Sequence, residues 1–141
     1  MRVILDTNVL LGALISPHGP PDKIYRAWRV ARFELVSSTV QLDELRRASR
    51  YPKLKIILPA HRVGTLVNNL QRAVMLDALR PLPEGISTND PDDAFLLAMA
   101  LTGEADYLVT GDRRAGLLQW NSIGRPCIVT PTAFCAKMML L

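Results

Sequence analysis

Short apolar runs alternate with helical patterns along most of this chain, and that alternation limits the folds open to it. Residues 3–5, 33–36, 107–109 and 127–129 have the length and composition of buried strands, and residues 78–82 are a weaker candidate. Strands that alternate with helices form mainly parallel sheets with helices packed on them. The sequence therefore predicts an α/β domain with a mainly parallel sheet.

The segments between these runs carry helix signals. The turn-forming stretch GPPD at residues 19–22 precedes an amphipathic, basic helical pattern. Ser38, followed three residues later by Gln41, is a capping-box pattern that predicts a second helix directly after the strand at 33–36. A third helix is predicted from Pro59 to about Met75.

Length and composition indicate one ordinary globular domain. The chain has 141 residues and 49% hydrophobic residues, with no internal repeat, so we expect a single domain over residues 1–141. No signal peptide is recognisable, and the apolar stretch at 94–103 is too short for the roughly 20 residues of a membrane span. We expect a cytoplasmic protein.

The two cysteines and two histidines give no sign of a metal site or a disulfide. Cys127 and Cys135 are expected to be buried thiols, and neither histidine lies in a ligand motif.

Two acidic residues stand where predicted strands end. Asp6 directly follows the first apolar run, and Asp112 follows Tyr107–Val109 after the turn Thr110-Gly111. Ligands of open α/β sheets bind in the crevice beyond the carboxyl ends of the strands. A structural role is the alternative at both places, since Asp6 could cap a helix that starts near Asn8 and Asp112 could belong to an ordinary Gly-Asp turn.

Acids also occur at two places on the predicted helices. Glu44 lies in the N-terminal half of the helix that follows Ser38, where a solvated charge is the alternative. The run NDPDD at residues 89–93 combines helix-capping residues with Pro91 at the first helical position, so capping explains part of this cluster. The helix that follows is apolar on every side from residue 94 to 101 and must be buried, which keeps the acids at its start near the core.

One crevice could gather carboxylates from all four places. Like charges at close range destabilise a fold unless cations occupy the site. Oxygen ligands without cysteine or histidine suit Mg²⁺ or Mn²⁺ rather than zinc. The provisional interpretation of Asp6 is that it binds a divalent metal ion.

Four segments in order, DTNVLL, LDELRR, DPDDAFLLAMA and YLVTGD, together with the closing IVTPTAF, resemble the PIN-domain nucleases. The resemblance covers nearly the whole chain and is greatest for the bacterial branch regarded as toxins of toxin–antitoxin systems. It implies a single Rossmann-like α/β/α sandwich. It also implies a hydrolase, a Mg²⁺- or Mn²⁺-dependent endoribonuclease.

Matched residue by residue, the resemblance also implies the composition of the site. The metal-binding and catalytic positions are Asp6, Glu44, Asp93 and Asp112, and the supporting positions are Asn8 and Thr110. Asp92 is assigned a supporting role because its neighbour Asp93 lies about 100° away around the helix, so that both cannot point well at one ion. The sequence departs from the branch at Ala94, where a polar residue is common.

The charge balance agrees with a polyanionic substrate. The net charge is +4, which favours nucleic acid, and a basic strip follows Glu44. We predict that this strip binds RNA; its residues are Arg46, Arg47, Arg50 and Lys53, with Lys55 beyond. A solvated helix surface is the alternative.

The partners implied by the resemblance are an RNA substrate, an antitoxin protein and a second copy of the chain in a homodimer, with no membrane. A PIN-like domain that has lost activity and binds RNA or protein is the main competing hypothesis. A phosphatase-like or receiver-like domain would need a lysine at the end of the last strand, where Pro131 and Thr132 stand instead.

Overall fold

The computed structural model describes residues 1–85, 91–111 and 126–140, and leaves the side chains of residues 91–93 undescribed. Within these ranges the strands are Arg2–Leu5 (β1), Glu34–Ser38 (β2), Val74–Leu76 (β3), Tyr107–Val109 (β4) and Cys127–Val129 (β5). The helices are Thr7–Ile15 (α1), Pro20–Arg29 (α2), Thr39–Ser49 (α3), Pro52–Ile57 (α4), Ala60–Leu70 (α5), Pro91–Thr102 (α6) and Pro131–Met138 (α7).

The five strands form one parallel sheet with the order β3-β2-β1-β4-β5. The chain starts at the central strand, builds outward through β2 and β3, and then returns to the other side of β1 to form β4 and β5. The order therefore reverses between β1 and β4, which makes their carboxyl ends the topological switch point of the sheet. The predicted α/β class and mainly parallel sheet are confirmed.

Helices cover both faces of the sheet, because the strands present apolar side chains on both faces. Val3 and Leu5 of β1 belong to a core shared with α1, α2, α3, α5 and α7, whereas Ile4 belongs to a second core shared with α6. Successive strand residues point to opposite faces, so a continuous apolar run supplies both cores. The result is the α/β/α sandwich that the resemblance implied.

Helix α6 is the buried helix that its composition predicted. Leu96, Leu97, Met99 and Ala100 are all almost fully buried against the sheet. At its end, a Cβ on Gly103 would lie 2.9 Å from Val36 Cγ1, which is too close for any larger residue without movement. This close approach at Gly103 lets the chain leave α6 directly beside the sheet.

One predicted strand was wrong, and the third predicted helix is present but shorter than predicted. Residues 78–82 are not a strand; the edge strand is β3, which lies inside the segment predicted as the end of the third helix. That helix, α5, ends at Leu70, and a turn follows in which Arg72 N donates to Asn69 O and Ala73 N to Leu70 O. Val74–Leu76 then pairs in parallel with β2, so pairing with a distant strand overrides the local helical pattern.

Smaller differences concern the limits of elements and one cysteine. Strand β2 extends to Ser38 rather than ending at Val36, and the short helix α4, whose first residue is Pro52, was not predicted. Cys135 is buried as expected, but Cys127 is exposed, so that expectation was wrong for one of the two thiols. Within the described ranges, the structure contains no helix long and apolar enough to cross a membrane.

Candidate active site at the carboxyl edge of the sheet

Asp6 occupies the point where β1 passes into α1. Its backbone N–H donates to Val109 O at 2.9 Å, and its carbonyl oxygen accepts the first hydrogen bonds of α1 from Val9 N and Leu10 N. Its side chain makes no capping hydrogen bond to α1, so the helix-capping interpretation was wrong. The residue is only 6% exposed, so its carboxylate is buried at the carboxyl end of β1.

Thr110 connects Asp6 to the neighbouring strand. It follows β4 directly, is fully buried, and its backbone N–H donates to Val129 O at 2.9 Å. Its Oγ1 donates to Asp6 Oδ2 at 2.7 Å. A hydrogen bond to an ionised, buried acceptor is stronger than a neutral one, so Thr110 holds the carboxylate in one orientation. The two residues join the ends of β1 and β4 at the switch point.

Helix α3 is anchored to the same edge by Gln41. Ser38 caps this helix, and its Oγ accepts from Gln41 N at 3.1 Å, as the capping box predicted. The Gln41 side chain does not reach back to complete the box. Its Nε2 donates instead to Leu5 O at 2.6 Å, and its Oε1 accepts from Ser37 Oγ at 2.7 Å.

This anchor determines where Glu44 lies. Residues three apart on a helix are neighbours on one face, so Glu44 stands one turn beyond Gln41, which contacts the carbonyl of Leu5 next to Asp6. Glu44 is 8% exposed and is therefore not the solvated surface charge of the alternative interpretation. Of the four predicted metal ligands, the two whose side chains the structure describes, Asp6 and Glu44, are therefore both buried.

Arg47 forms an ion pair with Glu44 from within α3. The Arg47 side chain is largely exposed, while the Glu44 side chain is largely buried, so the pair extends from the site toward solvent. A partner of opposite charge offsets part of the free energy lost when a carboxylate leaves water. The sequence predicted an RNA-binding role for Arg47, and the structure adds this contact with a predicted metal ligand.

Buried polar side chains are concentrated around these two acids. Among the residues whose burial is described, they are Asp6, Thr7, Ser37, Ser38, Gln41, Glu44 and Thr110, and Asp22 is a separate case at the start of α2. Sequence reasoning missed Thr7, Ser37 and the side-chain role of Gln41; the two serines that end a buried strand are the signal that could have indicated them. The Thr7 hydroxyl is buried and has no hydrogen-bond partner among the described residues.

The direction of α6 bears on the remaining acids. Gly103, just after this helix, accepts a hydrogen bond from Arg2 Nη1 at 3.1 Å, and Arg2 begins β1. The helix therefore ends at the amino edge of the sheet. Its 12 residues span about 18 Å, so its first turn lies toward the carboxyl edge. The backbone of Asp92 and Asp93 is in this turn.

Not all predicted site residues are described. Asp112 lies outside the described residues, and the side chains of Asp92 and Asp93 are not described. Asn8 is exposed in the first turn of α1. Among the described side chains, no three acids, histidines or cysteines gather as a metal site would require. The four-carboxylate metal site therefore stays a prediction, and this includes the roles of Asp6 and Glu44 as ligands.

The residues of the predicted basic strip lie on different sides of α3. Arg46 and Arg47 are neighbours in sequence, but Arg47 pairs with Glu44, whereas Arg46 contacts the exposed Asp43 at 3.5 Å. Arg50 and Lys53 are exposed. Two residues along a helix correspond to about 200° of rotation, so Arg46 lies on the opposite side of α3 from Glu44.

Comparison with known protein families gives a match over most of this chain. A family model described as the PIN domain matches residues 2–114, which include β1, α3, α6 and β4. A search of curated proteins found no match. The model covers most of the chain, and the chain therefore belongs to the PIN-domain family, a family of nucleases that generally use divalent metal ions.

Proposed function

We propose that this protein is a Mg²⁺- or Mn²⁺-dependent endoribonuclease. The observation that carries the proposal is the buried Asp6 carboxylate, which Thr110 holds at the switch point of the sheet. Glu44 is buried one helical turn from the contact between α3 and the end of β1. We assign Asp93 and Asp112 as the other two carboxylates of the site, by their match to the family's acidic positions.

The described residues suit a hard divalent cation. Asp6 and Glu44 supply carboxylate oxygens, and their polar neighbours Thr7 and Thr110 supply hydroxyl groups. Cys127 lies at the amino end of β5, at the opposite edge of the sheet, where its N–H donates to Asp106 O. Oxygen ligands without sulfur favour Mg²⁺ or Mn²⁺ over zinc.

Each residue of the site has a proposed role in cleavage. The chemistry that two divalent ions supply when bound is activation of a water molecule and stabilisation of the charge on the scissile phosphate and leaving oxygen. Thr110 fixes the orientation of Asp6 by its hydrogen bond. Arg47, at the solvent side of Glu44, attracts the phosphate backbone toward the acids. Asn8 and Asp92 would act as supporting residues.

RNA is the substrate that we propose. The net charge of +4 includes the basic residues of and after α3, which we predict contact RNA: Arg46, Arg47, Arg50 and Lys53. Contacts with phosphates release counterions, so replacing the three arginines with glutamine should weaken RNA binding and flatten its dependence on salt. Unchanged affinity and salt dependence would assign these arginines to the solvated surface.

The biological setting is proposed from the family resemblance. We propose a cytoplasmic toxin that acts as a homodimer and is held inactive by an antitoxin protein. The reading frame next to the gene provides the test, because a short gene for a DNA-binding protein directly upstream would support an antitoxin. Light scattering of the purified protein would test the dimer.

The activity itself has a direct test. Purified protein should cleave single-stranded RNA in the presence of Mn²⁺ or Mg²⁺, and cleavage should stop when EDTA removes the metal. The Asp6→Asn protein is the control for a contaminating nuclease and should be inactive. Cleavage that continues in excess EDTA would refute the mechanism. RNA binding without cleavage would favour the inactive binding module.

A further inference from the structure

A cavity lies on the side of α3 that faces away from Glu44. It has a volume of about 420 Å³, is open to solvent on one side, and is bounded by α3, the segment around α4, and α5. Arg46 and Arg50 line it from α3, and Lys55 lines it from α4. Its size falls within the range of about 300–1,000 Å³ that small-molecule sites occupy.

The wall of this cavity formed by α5 is aliphatic. Val63 and Val67 of α5 contribute methyl groups, and Leu58, between α4 and α5, extends this wall. Leu58 and Val67 are buried. Asn68 and Ser49 add polar side chains to the lining. The cavity therefore combines an apolar wall with a few polar groups, the composition of a site for a ligand with an apolar part.

The charge of the lining is positive. No aspartate or glutamate is among the residues that line the cavity. Among the described residues, neither Arg50 nor Lys55 forms a salt bridge, and the only acid paired with Arg46 is the exposed Asp43. Three cations around one cavity suit an anion with several acceptor oxygens, and arginine binds phosphate in a bidentate manner.

We infer that this cavity binds one nucleotide of the RNA strand, away from the bond that is cut. The inference rests on the proposed RNA substrate. The phosphate would contact Arg46, Arg50 and Lys55, and the base would lie against the aliphatic wall and the guanidinium planes. The Asn68 amide offers a donor and an acceptor to the edge of a base.

Gly64 provides a test that fills the cavity without harming the fold. It lines the cavity from within α5, and a Cβ at this position would meet no atom within 4 Å. Glycine is unfavourable inside a helix, so both Gly64→Leu and Gly64→Ala should melt at or above the wild-type temperature. Leucine fills part of the cavity, and alanine leaves most of it open.

The measurement is fluorescence anisotropy of a labelled, single-stranded oligoribonucleotide in EDTA, where no cleavage occurs. We expect Gly64→Leu to weaken binding about tenfold and Gly64→Ala to leave it near wild type. Arg50→Gln should also weaken binding, whereas Arg62→Gln, on the same helix α5 but outside the lining, is the matched charge control. Wild-type protein that fails to bind RNA, or Gly64→Leu with wild-type affinity, would overturn the inference.

Two further measurements distinguish RNA from other ligands of the cavity and test the inference separately from the proposed nuclease activity. If AMP raises the melting temperature of wild type but not of Gly64→Leu, while RNA affinity is equal in both, the cavity is a site for free nucleotides and the inference fails. Equal RNA affinity without an AMP effect would assign the cavity to another occupant, such as an acidic protein segment, and also refutes it. Loss of RNA affinity in Gly64→Leu, with no Mn²⁺-dependent cleavage by wild type, supports the inference but refutes the nuclease.

Discussion

Replacing Thr110 with valine should show how much the fold depends on the hydrogen bond to Asp6. Valine has nearly the same shape as threonine but no hydroxyl, so the substitution removes the donor of the 2.7 Å bond to Asp6 Oδ2. Both residues are buried, since Thr110 is 0% and Asp6 is 6% exposed, and water cannot easily replace the donor. A hydrogen bond to a charged group contributes about 1.5–3 kcal/mol to the free energy of unfolding.

That loss corresponds to a measurable change in melting temperature. For a domain of this size, 1 kcal/mol shifts the melting temperature by about 4 °C, so Thr110→Val should melt about 6–12 °C below wild type in EDTA. Thr110→Ser is the control, because it keeps the donor and loses one buried methyl group, which costs about 1 kcal/mol or about 4 °C. Differential scanning calorimetry or circular dichroism would measure all three proteins.

The outcome that would refute the reasoning is a valine variant that melts no lower than the serine variant. In that case the hydroxyl group of Thr110 would contribute no more to the free energy of unfolding than its methyl group does. A second readout is metal binding, since a carboxylate that has lost its orienting donor should bind Mn²⁺ more weakly. We therefore expect Mn²⁺ to raise the melting temperature of Thr110→Val by less than that of Thr110→Ser.

Three other predictions follow from the same site and from the core. Glu44→Gln should reduce the rise in melting temperature that Mn²⁺ produces, whereas Asp43→Asn, at an exposed neighbour, should keep it; equal rises would remove Glu44 from the site. Asp93→Asn should abolish RNA cleavage and Asp92→Asn should lower it by about 10–100-fold or less, and the reverse order would show that the helix register is wrong by one residue. Burial raises the pKa of the Cys135 thiol above its ordinary 9.0, so this thiol should resist a thiol reagent at pH 8 until the protein is denatured, and rapid labelling of both cysteines in the native protein would contradict this.

The local patterns of the sequence were sufficient for most of the sheet and for the buried helix. The central strand β1 and the strands β4 and β5 coincide with predicted apolar runs, because a strand covered on both faces needs apolar residues at consecutive positions. Helix α6 is apolar on every side for the same reason. The position of Asp6 at the end of β1 also followed from the sequence, since an abrupt change from apolar to polar residues ends a buried strand.

Pairing between distant segments could not be derived from these patterns. Val74–Leu76 is a strand because it pairs with β2, although its residues continue the helical pattern of α5. The Ser38–Gln41 motif predicted the helix start, yet the Gln41 side chain turns to Leu5 O, 36 residues away in sequence. Contacts between segments that are distant in sequence depend on the tertiary fold, so local propensity cannot predict them.

The site itself shows the same division. The sequence supplied the acids and the resemblance supplied Thr110, but only the tertiary structure joined Thr110 to Asp6 across 104 residues. It also decided which side of α3 faces the sheet, and thereby separated Arg47, beside Glu44, from Arg46, beside the cavity. A helical repeat can be counted in a sequence, but the face that becomes buried is chosen by the strands and helices against which it packs.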